Sequence, residues 1–265
     1  MSAPEVSVVV PSLNSGPYVG AAIRSALEQK GPSLEVIVQD GGSTDGTLGV
    51  VAAFDDHRVR IHCEADSGQA DALNRGLAKA RGRWIAWLNA DDMLAPGALA
   101  AARPWLADDV ELVYGDFHMI DPAGRVVKRY TSPELDRARL LTRGLYVFSG
   151  SMLVRRDVYE RLGAYDAALH YCMDYDFLLR VAPRVRARHC GAVLSYFREQ
   201  PESKTSRHAR RFFRETITLR RRHGGFSREL WAATTRRQLV DGTYMLTRPI
   251  WHSNAFRRFE PARRL

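Results

Sequence analysis

Apolar residues in the first half of the chain come in short runs, and each run stops at small or acidic residues. Val6-Ser7-Val8-Val9-Val10 is β-branched and ends at Pro11, and Leu34-Glu35-Val36-Ile37-Val38 ends at Gln39-Asp40. Trp84-Ile85-Ala86-Trp87-Leu88 leads straight into Asn89-Ala90-Asp91-Asp92, and Val110-Glu111-Leu112-Val113-Tyr114 into Gly115-Asp116. Runs of this length between turn residues read as buried strands, and Val59 to His62 adds a shorter one. Between the runs the apolar spacing changes to three and four. Val19, Ala22, Ile23, Ala26 and Leu27 form one face of a helix opened by Gly16-Pro17 and broken by Gly31-Pro32. Ala70, Leu73, Leu77 and Ala80 form a second, and further helices are expected from Gly46 to about Phe54 and near Pro96 to Leu106. Strands and helices alternating in this way predict βαβ units and a mostly parallel sheet.

The rhythm changes after Asp121-Pro122-Ala123-Gly124. A hairpin arm is expected from Arg125 to Tyr130, a polar helix from Glu134 to Thr142, and a loop and strand from Phe148 to Val154. Helices follow from Arg155 to Leu162, ended by Gly163, and from Met173 to Arg180. Beyond Lys204 two basic, partly amphipathic helices are expected near 206–223 and 228–246.

The candidate chemistry sits at the strand ends, the edge where open α/β sheets bind ligands. Pro11, Ser12 and Asn14 follow the first strand, and Asp40 with the Gly41–Thr47 loop, including Ser43, follows the second. Asn89, Asp91 and Asp92 end the fourth. Adjacent carboxylates repel each other, and a hard divalent cation such as Mg²⁺ or Mn²⁺ offsets that with phosphate oxygens as further ligands. Taken alone, such an Asp-Asp pair at a strand end is more often a plain cap on the following helix than a metal site. Asp174 and Asp176 open a helix, where dipole compensation alone accounts for them. No Gly-x-x-x-x-Gly-Lys-Ser/Thr loop and no Gly-x-Gly-x-x-Gly follows the first strand, which argues against ATPase and hydride-transfer chemistry.

Composition narrows the class. Three scattered cysteines argue against a disulfide framework or Cys-rich zinc site and suit the cytosol. No secretory signal or transmembrane run is apparent. The net charge of +9 is uneven: 16 of the 39 Lys and Arg but only 5 of the 30 Asp and Glu lie from Pro201 onward. That tail favours polyanions, above all an anionic membrane surface, or else forms a solvated helical face. Its aromatic residues sit at helical spacing, so nucleic acid is not the expected partner.

Five segments, in order, resemble glycosyltransferase family 2: Val8 to Asn14, Glu35 to Thr47, Asp66 to Gly76, Gly82 to Leu88, and Asn89 to Asp92. The resemblance covers about residues 5–200. It implies a GT-A (Rossmann-like) fold, a three-layer αβα sandwich with a mostly parallel central sheet, and an inverting, metal-dependent transfer. The expected donor is a nucleoside-diphosphate sugar, UDP-linked, and the expected acceptor a hydroxyl of a glycan or lipid-linked molecule. By the resemblance Pro11, Ser12, Asn14, Asp40, Ser43, Gln69, Asn89 and Asp91 line the donor nucleotide site. Asp91, with Asp92 beside it, holds Mn²⁺ or Mg²⁺, and Asp174 is the catalytic base, with Asp176 as the fallback. Gly150, Ser151 and Asp176 lie on the acceptor side. Three positions depart from the family pattern: Asn89 stands where an Asp is usual, Met173 where a Glu precedes the base, and Gln200 where some relatives carry a metal-binding His.

The expected organisation is a GT-A domain over 1–200, its nucleotide-sugar part about 1–115 and its acceptor part about 116–200. A basic helical extension fills 201–265. Location is expected to be cytoplasmic, with peripheral attachment at the inner membrane face. The alternatives are a retaining transferase or nucleotidylyltransferase of the same fold, which have no need of Asp174, and a non-catalytic basic module that binds polyanions or membranes. Trp84 and Trp87 are read as core, and His118, His170 and His189 as structural.

Overall fold

The structure, a computed structural model, describes residues 3–199 and 208–224 together with Ala232. Gln200 and the expected helix near 228–246 lie outside the described residues, Ala232 excepted. The elements are, in order, β1 (Val6–Ser12), α1 (Gly16–Leu27), β2 (Leu34–Asp40), α2 (Thr47–Ala52), β3 (Val59–Cys63), α3 (Gln69–Lys79), β4 (Trp84–Trp87), β5 (Met93–Leu94) and α4 (Ala98–Ala102). After them come β6 (Leu112–Ile120), β7 (Val126–Tyr130), α5 (Arg137–Arg143), β8 (Met152–Arg155), α6 (Arg156–Leu162), α7 (Met173–Val181), β9 (Ala187–Arg198) and α8 (Ala209–Gly224).

Among the described residues nine strands form one sheet in the order β3-β2-β1-β4-β8-β6-β9-β5, with β7 beside β6. The block β3-β2-β1-β4 is parallel. The strand β8 runs against both β4 and β6, which turns β6 and β9 back into the direction of the first block. Only the short β5, β7 and β8 run the other way.

Both faces of the sheet are covered, and that is why its central strands are apolar at consecutive positions rather than alternate ones. Val8, Val10, Val36, Val38, Trp84 and Ala86 pack against Val19, Ile23 and Leu99 of α1 and α4. Val9, Ile37, Ile85 and Trp87 point the other way, against Leu73 of α3, Phe177 of α7 and Leu219 of α8. The result is the expected three-layer arrangement. Both tryptophans are core residues, one on each face. The chain leaves β1 toward β2 and returns through α3 to β4 on the other flank of β1. The gap between the carboxyl ends of β1 and β4 is thus the topological switch point.

Several element boundaries differ from those expected, each for a local reason. Pro11 does not end β1 but lies within it. Alternate residues of β1 address different neighbours: Leu88 N–H donates to Val9 O at 3.0 Å on the β4 side, and Gly41 N–H to Ser12 O at 2.9 Å on the β2 side. Pro11 therefore lacks its N–H on the β4 side, beyond the last β1–β4 register pair, Val9 with Trp87. Gly115 does not end its strand either. It sits where the β6–β9 register shifts, and a Cβ there would lie 2.4 Å from Ala192 O. Such a glycine marks a bulge, not a stop. The helix expected near Pro96 to Leu106 is shortened to α4 and a 3₁₀ turn over Arg103–Trp105, because Pro104 brings no N–H to continue it. The two-residue strand β5 is too short to register as a period.

At the edge opposite the switch point, Glu35 is buried and ties four segments together. It accepts from Ser7 Oγ (2.7 Å), Arg81 N (2.8 Å), Arg81 Nε (2.9 Å) and Arg60 Nη1 (2.9 Å). Burial alone would raise its carboxyl, but the bonds from Ser7, Arg81 and Arg60 outweigh it and hold the pKa at about 2. A carboxyl lowered from 4.5 to about 2 contributes on the order of 3 kcal/mol above pH 4.5, lost as pH falls through about 2. Glu35→Gln is therefore expected to lower stability to urea by about 2–3 kcal/mol at pH 7. The gap to wild type should shrink between pH 4.5 and pH 2.

Candidate active site at the switch point

The loops after β1 and β2 are locked to each other by polar side chains. Asn14, in the left-handed region at φ 49°, donates its N–H to Ser43 Oγ (2.7 Å) and accepts Thr44 N–H on Oδ1 (2.9 Å). Asp45 accepts Gly16 N–H (3.0 Å) on one oxygen and both the N–H (3.1 Å) and hydroxyl (2.5 Å) of Thr47 on the other. Beneath them Asp40 is fully buried, and its Oδ1 accepts from Gly42 N (3.0 Å) and Ser43 N (2.7 Å). Its Oδ2 accepts from Ser43 Oγ (2.6 Å), which leaves that oxygen capacity for one more donor. Ser12, paired in register with Asp40, is buried, and its hydroxyl has no partner among the described residues. An orphaned hydroxyl beside an acceptor with spare capacity is a polar floor that a ligand can complete.

Asn89 is the junction of the other wall. Its Oδ1 accepts from Gln69 Nε2 of α3 (2.8 Å) and from Trp87 Nε1 of β4 (2.7 Å). Its Nδ2 donates to Asp92 Oδ2 (2.7 Å). The other oxygen of Asp92 accepts Arg198 N–H from β9 (2.8 Å). Asp92 is thus buried with both oxygens on protein donors, whereas Asp91 stays partly accessible. Burial raises both carboxyls, and the Asp91 charge adds to the rise at Asp92. Arg198 is itself buried. Its guanidinium donates to the carbonyls of Asp91 (2.9 Å), Asp121 (3.2 Å) and Pro122 (2.8 Å), and it lies 5.2 Å from the centre of the Tyr18 ring.

Among the described residues, no group of three His, Cys, Asp or Glu side chains is arranged to hold a metal ion. A cation here would rest on Asp91 and on oxygens supplied by a bound diphosphate. Mg²⁺ and Mn²⁺ accept such a sparse protein donor set, so the residues fit one.

Asp174 and Asp176 both lie in the first turn of α7, but two positions along a helix turn the side chain by about 200°. Asp176 points into the helical layer. Its Oδ2 accepts from Arg180 Nε (2.8 Å), and its Oδ1 lies 2.8 Å from His223 Nε2. Asp174 points elsewhere, and among the described residues its Oδ1 accepts Tyr175 N–H (2.8 Å) alone. Burial pushes its carboxyl up to about 6, against that bond. Asp174 is near enough to Tyr165 to contribute to the raised pKa of that buried phenol, behind burial and Tyr159. Tyr165 in turn packs edge-on against Trp87, with ring centres 5.2 Å apart, and exchanges two hydrogen bonds with the Asn74 amide. Asp174 thus acts at a distance on a phenol that packs on Trp87, whose indole N–H donates to Asn89.

Gly150 and Ser151 form a buried 3₁₀ turn packed against β4, β6 and β9. Ser151 Oγ donates to Phe148 O (2.9 Å), and a Cβ on Gly150 would lie 2.6 Å from the Phe148 ring. The three histidines read as structural have local partners. His189 meets Asp116 at 2.8 Å, His118 stacks on Tyr196, and His170 gives its N–H to Glu215. Arg198, Tyr165 and Glu215 were not singled out in the sequence. Arg198 carries a weak signal, a lone cation closing the run Val193 to Phe197, but nothing in sequence tells which carbonyls it reaches.

This architecture recurs in solved glycosyltransferases, and it is the GT-A fold. Staphylococcus aureus TarS residues 1–349 in complex with UDP-GlcNAc aligns over 93% of this chain and 78% of that one, with TM-score 0.70 and 20% identity. The mannosyltransferase PcManGT of Pyrobaculum calidifontis, in complex with GDP-Man and Mn²⁺, aligns over 97% and 83%, with TM-score 0.59 and 20% identity. The chain belongs to glycosyl transferase family 2, whose family model matches residues 7–163, and it is a glycosyltransferase. It is 30% identical over 210 residues to a PGL/p-HBAD biosynthesis glycosyltransferase of Mycobacterium tuberculosis, covering 75% of this chain and 78% of that one. It is 37% identical over 155 residues to the succinoglycan biosynthesis protein ExoO of Rhizobium meliloti, covering 55% and 42%.

Asn89→Ala would strand Gln69 Nε2, Trp87 Nε1 and Asp92 Oδ2 together. The expected loss is about 2–4 kcal/mol, read as a fall of about 5–10 °C in the thermal midpoint.

Proposed function

We propose that this glycosyltransferase moves a sugar from a UDP-linked donor to a hydroxyl of a glycan or lipid-linked acceptor, with inversion at the anomeric carbon. The observation that carries the reading is Asp174: a partly buried carboxyl whose pKa burial pushes up to about 6, turned away from Asp176, whose two oxygens are taken up by Arg180 and His223. A base at that value is largely ionised at neutral pH yet still a competent proton acceptor. The UDP-GlcNAc bound by TarS and the polysaccharide named for ExoO support the donor and acceptor classes.

In this reading Asp40 accepts a base N–H on Oδ2, Ser12 and Asn14 line the same pocket beside Pro11, and Ser43 keeps the Asp40 carboxylate oriented. Gln69 and Asn89 brace the mouth, and Asp92 fixes the turn that presents Asp91. Asp91 is the residue that would hold Mn²⁺ or Mg²⁺, which when bound neutralises charge gathering on the departing diphosphate. The Mn²⁺ in the PcManGT complex supports a divalent ion. Asp174 takes the proton from the acceptor hydroxyl as its oxygen attacks the anomeric carbon. Gly150 and Ser151 are buried, so they shape the acceptor side from behind instead of lining it, while Asp176 holds α7 against α8.

Calorimetric titration with UDP tests the donor half. Binding should require Mn²⁺ or Mg²⁺ and be lost in Asp91→Ala; metal-independent binding, or none, would remove this reading of Asp91. Asp174→Asn should keep UDP binding and lower kcat by about a thousandfold. In wild type kcat/KM should rise with pH up to about 6 and level above it, because the base must be unprotonated.

The basic tail is proposed to hold the protein at an anionic lipid surface. Among the described residues no helix is long and apolar enough to cross a membrane. Arg210, Arg211, Arg214 and Arg221 are exposed along α8. The full chain should sediment with phosphatidylserine vesicles in low salt and leave them at about 0.5 M salt. Retention in high salt would contradict an electrostatic attachment.

A further inference from the structure

The helix α8 does more than carry charge. Glu215, in its middle, reaches the segment just before α7 and accepts three successive backbone N–H groups. His170 N bonds its Oε1 at 3.0 Å, and Tyr171 N and Cys172 N bond its Oε2 at 2.8 and 3.0 Å. Phe212 O, about one turn before Glu215, and Thr216 Oγ1, on the next residue, meet Cys172 Sγ at 3.6 and 3.4 Å. The same helix is fixed further along. Leu219 is fully buried, Arg222 reaches Asp166 at 3.2 Å, and His223 lies 2.8 Å from Asp176.

The local sequence leaves this helix start undefended. Cys172 occupies the N-cap of α7 and makes no side-chain cap bond. In a capping box, an acidic residue three positions into the helix would return to the N-cap N–H. That position is Tyr175, which cannot do so, and its hydroxyl donates instead to Leu140 O at 2.7 Å. Glu215, 43 residues downstream, supplies the missing acceptor. Asp174 is the second residue of the helix so fixed. Both carboxylates flank Cys172, whose thiol is pushed up to about 12 by burial first and then by the Asp174 and Glu215 charges, against its bond to Thr216.

We propose that Glu215 is a positioning residue for Asp174: its three backbone bonds set the bend at 170–172, where α7 begins, and the direction in which the first carboxylate of α7 points. This rests on the reading of Asp174 as the base. Glu215 touches no substrate. It acts by holding the base in register, and a displacement of about 1 Å at such a group costs on the order of a hundredfold in rate.

The test uses the full chain and four variants: Glu215→Ala, Glu215→Gln, Leu219→Ala and Asp174→Asn. The readouts are UDP release from UDP-GlcNAc, UDP-glucose and UDP-galactose, UDP affinity by calorimetry, thermal midpoint, and amide hydrogen exchange over 168–176. Glu215→Ala should speed exchange at 170–172 and lower kcat by about 10- to 100-fold, with KM and UDP affinity within about twofold of wild type. Glu215→Gln keeps one oxygen for Tyr171 and Cys172 and should recover part of that loss. Leu219→Ala loosens α8 without touching the bend and should lower the thermal midpoint while the folded protein keeps its kcat.

Unchanged kcat in Glu215→Ala, beside a dead Asp174→Asn, overturns the positioning role alone. Equal kcat losses in Glu215→Ala and Leu219→Ala overturn it as well, by reducing it to stability. Full activity in Asp174→Asn instead overturns the base. If wild type releases UDP from none of the three donors, exchange decides: faster exchange at 170–172 in Glu215→Ala upholds the bend, and unchanged exchange overturns it.

Discussion

The Asn89 amide joins parts of the chain that are far apart in sequence. One oxygen takes donors from α3 and β4, and one NH₂ group reaches Asp92, which in turn accepts from the backbone of β9. None of these segments defines the mouth by itself. The strand β4 ends at Trp87, and the turn after it has few backbone bonds of its own. Remove the amide and the turn that carries Asp91 loses its tie to α3 and β4. The apolar sheet below supplies a rigid platform, but a platform does not orient a carboxylate. That is the work of a small polar network whose donors and acceptors are matched one to one.

The parallel half of the fold was legible because its strands are buried on both faces. Burial of that kind writes itself as unbroken Val, Ile and Trp, and the residues that follow must be the loop at the ligand edge. Ser12, Asp40, Asn89 and Asp91 could thus be placed before any geometry was known. Legibility fell where the signal was short or long-range. Two residues of β5 cannot make a period, and β9 mixes partly exposed residues with buried ones. Proline and glycine misled at Pro11 and Gly115, where each marks a missing backbone contact within a strand and not its end. The split between Asp174 and Asp176 needed only helix geometry, yet which of the two faces inward depended on where α8 lies. Tyr165, Arg198 and Glu215 act through partners dozens of residues away, and no local pattern announces that.

Charge in the C-terminal segment reads differently once α8 is seen. Its surplus of arginine suggested a face turned toward solvent or lipid, and several of those arginines are exposed. Others are not free for that purpose. Arg220 is buried against the Tyr175 hydroxyl, and Arg222 is engaged with Asp166. The same helix carries an acid, Glu215, among its many bases. A stretch that composition describes as a uniform cationic tail therefore contains at least one turn whose polar groups are spent inside the fold. Net charge counts such residues without distinguishing them.

The amide at position 89 also constrains how this site can change over time. It must accept from two donors and give to one carboxylate, which an aspartate at 89 cannot do. Placed there, an aspartate would set oxygen against oxygen at Asp92 unless that buried residue took up a proton. The two positions are therefore not independent letters. Burial already raises the Asp92 carboxyl, so an acid at 89, the usual residue of the family pattern, is met by a proton on Asp92, while the amide lets Asp92 accept as it stands. A change from amide to acid at 89 is therefore a change in where the site keeps a proton.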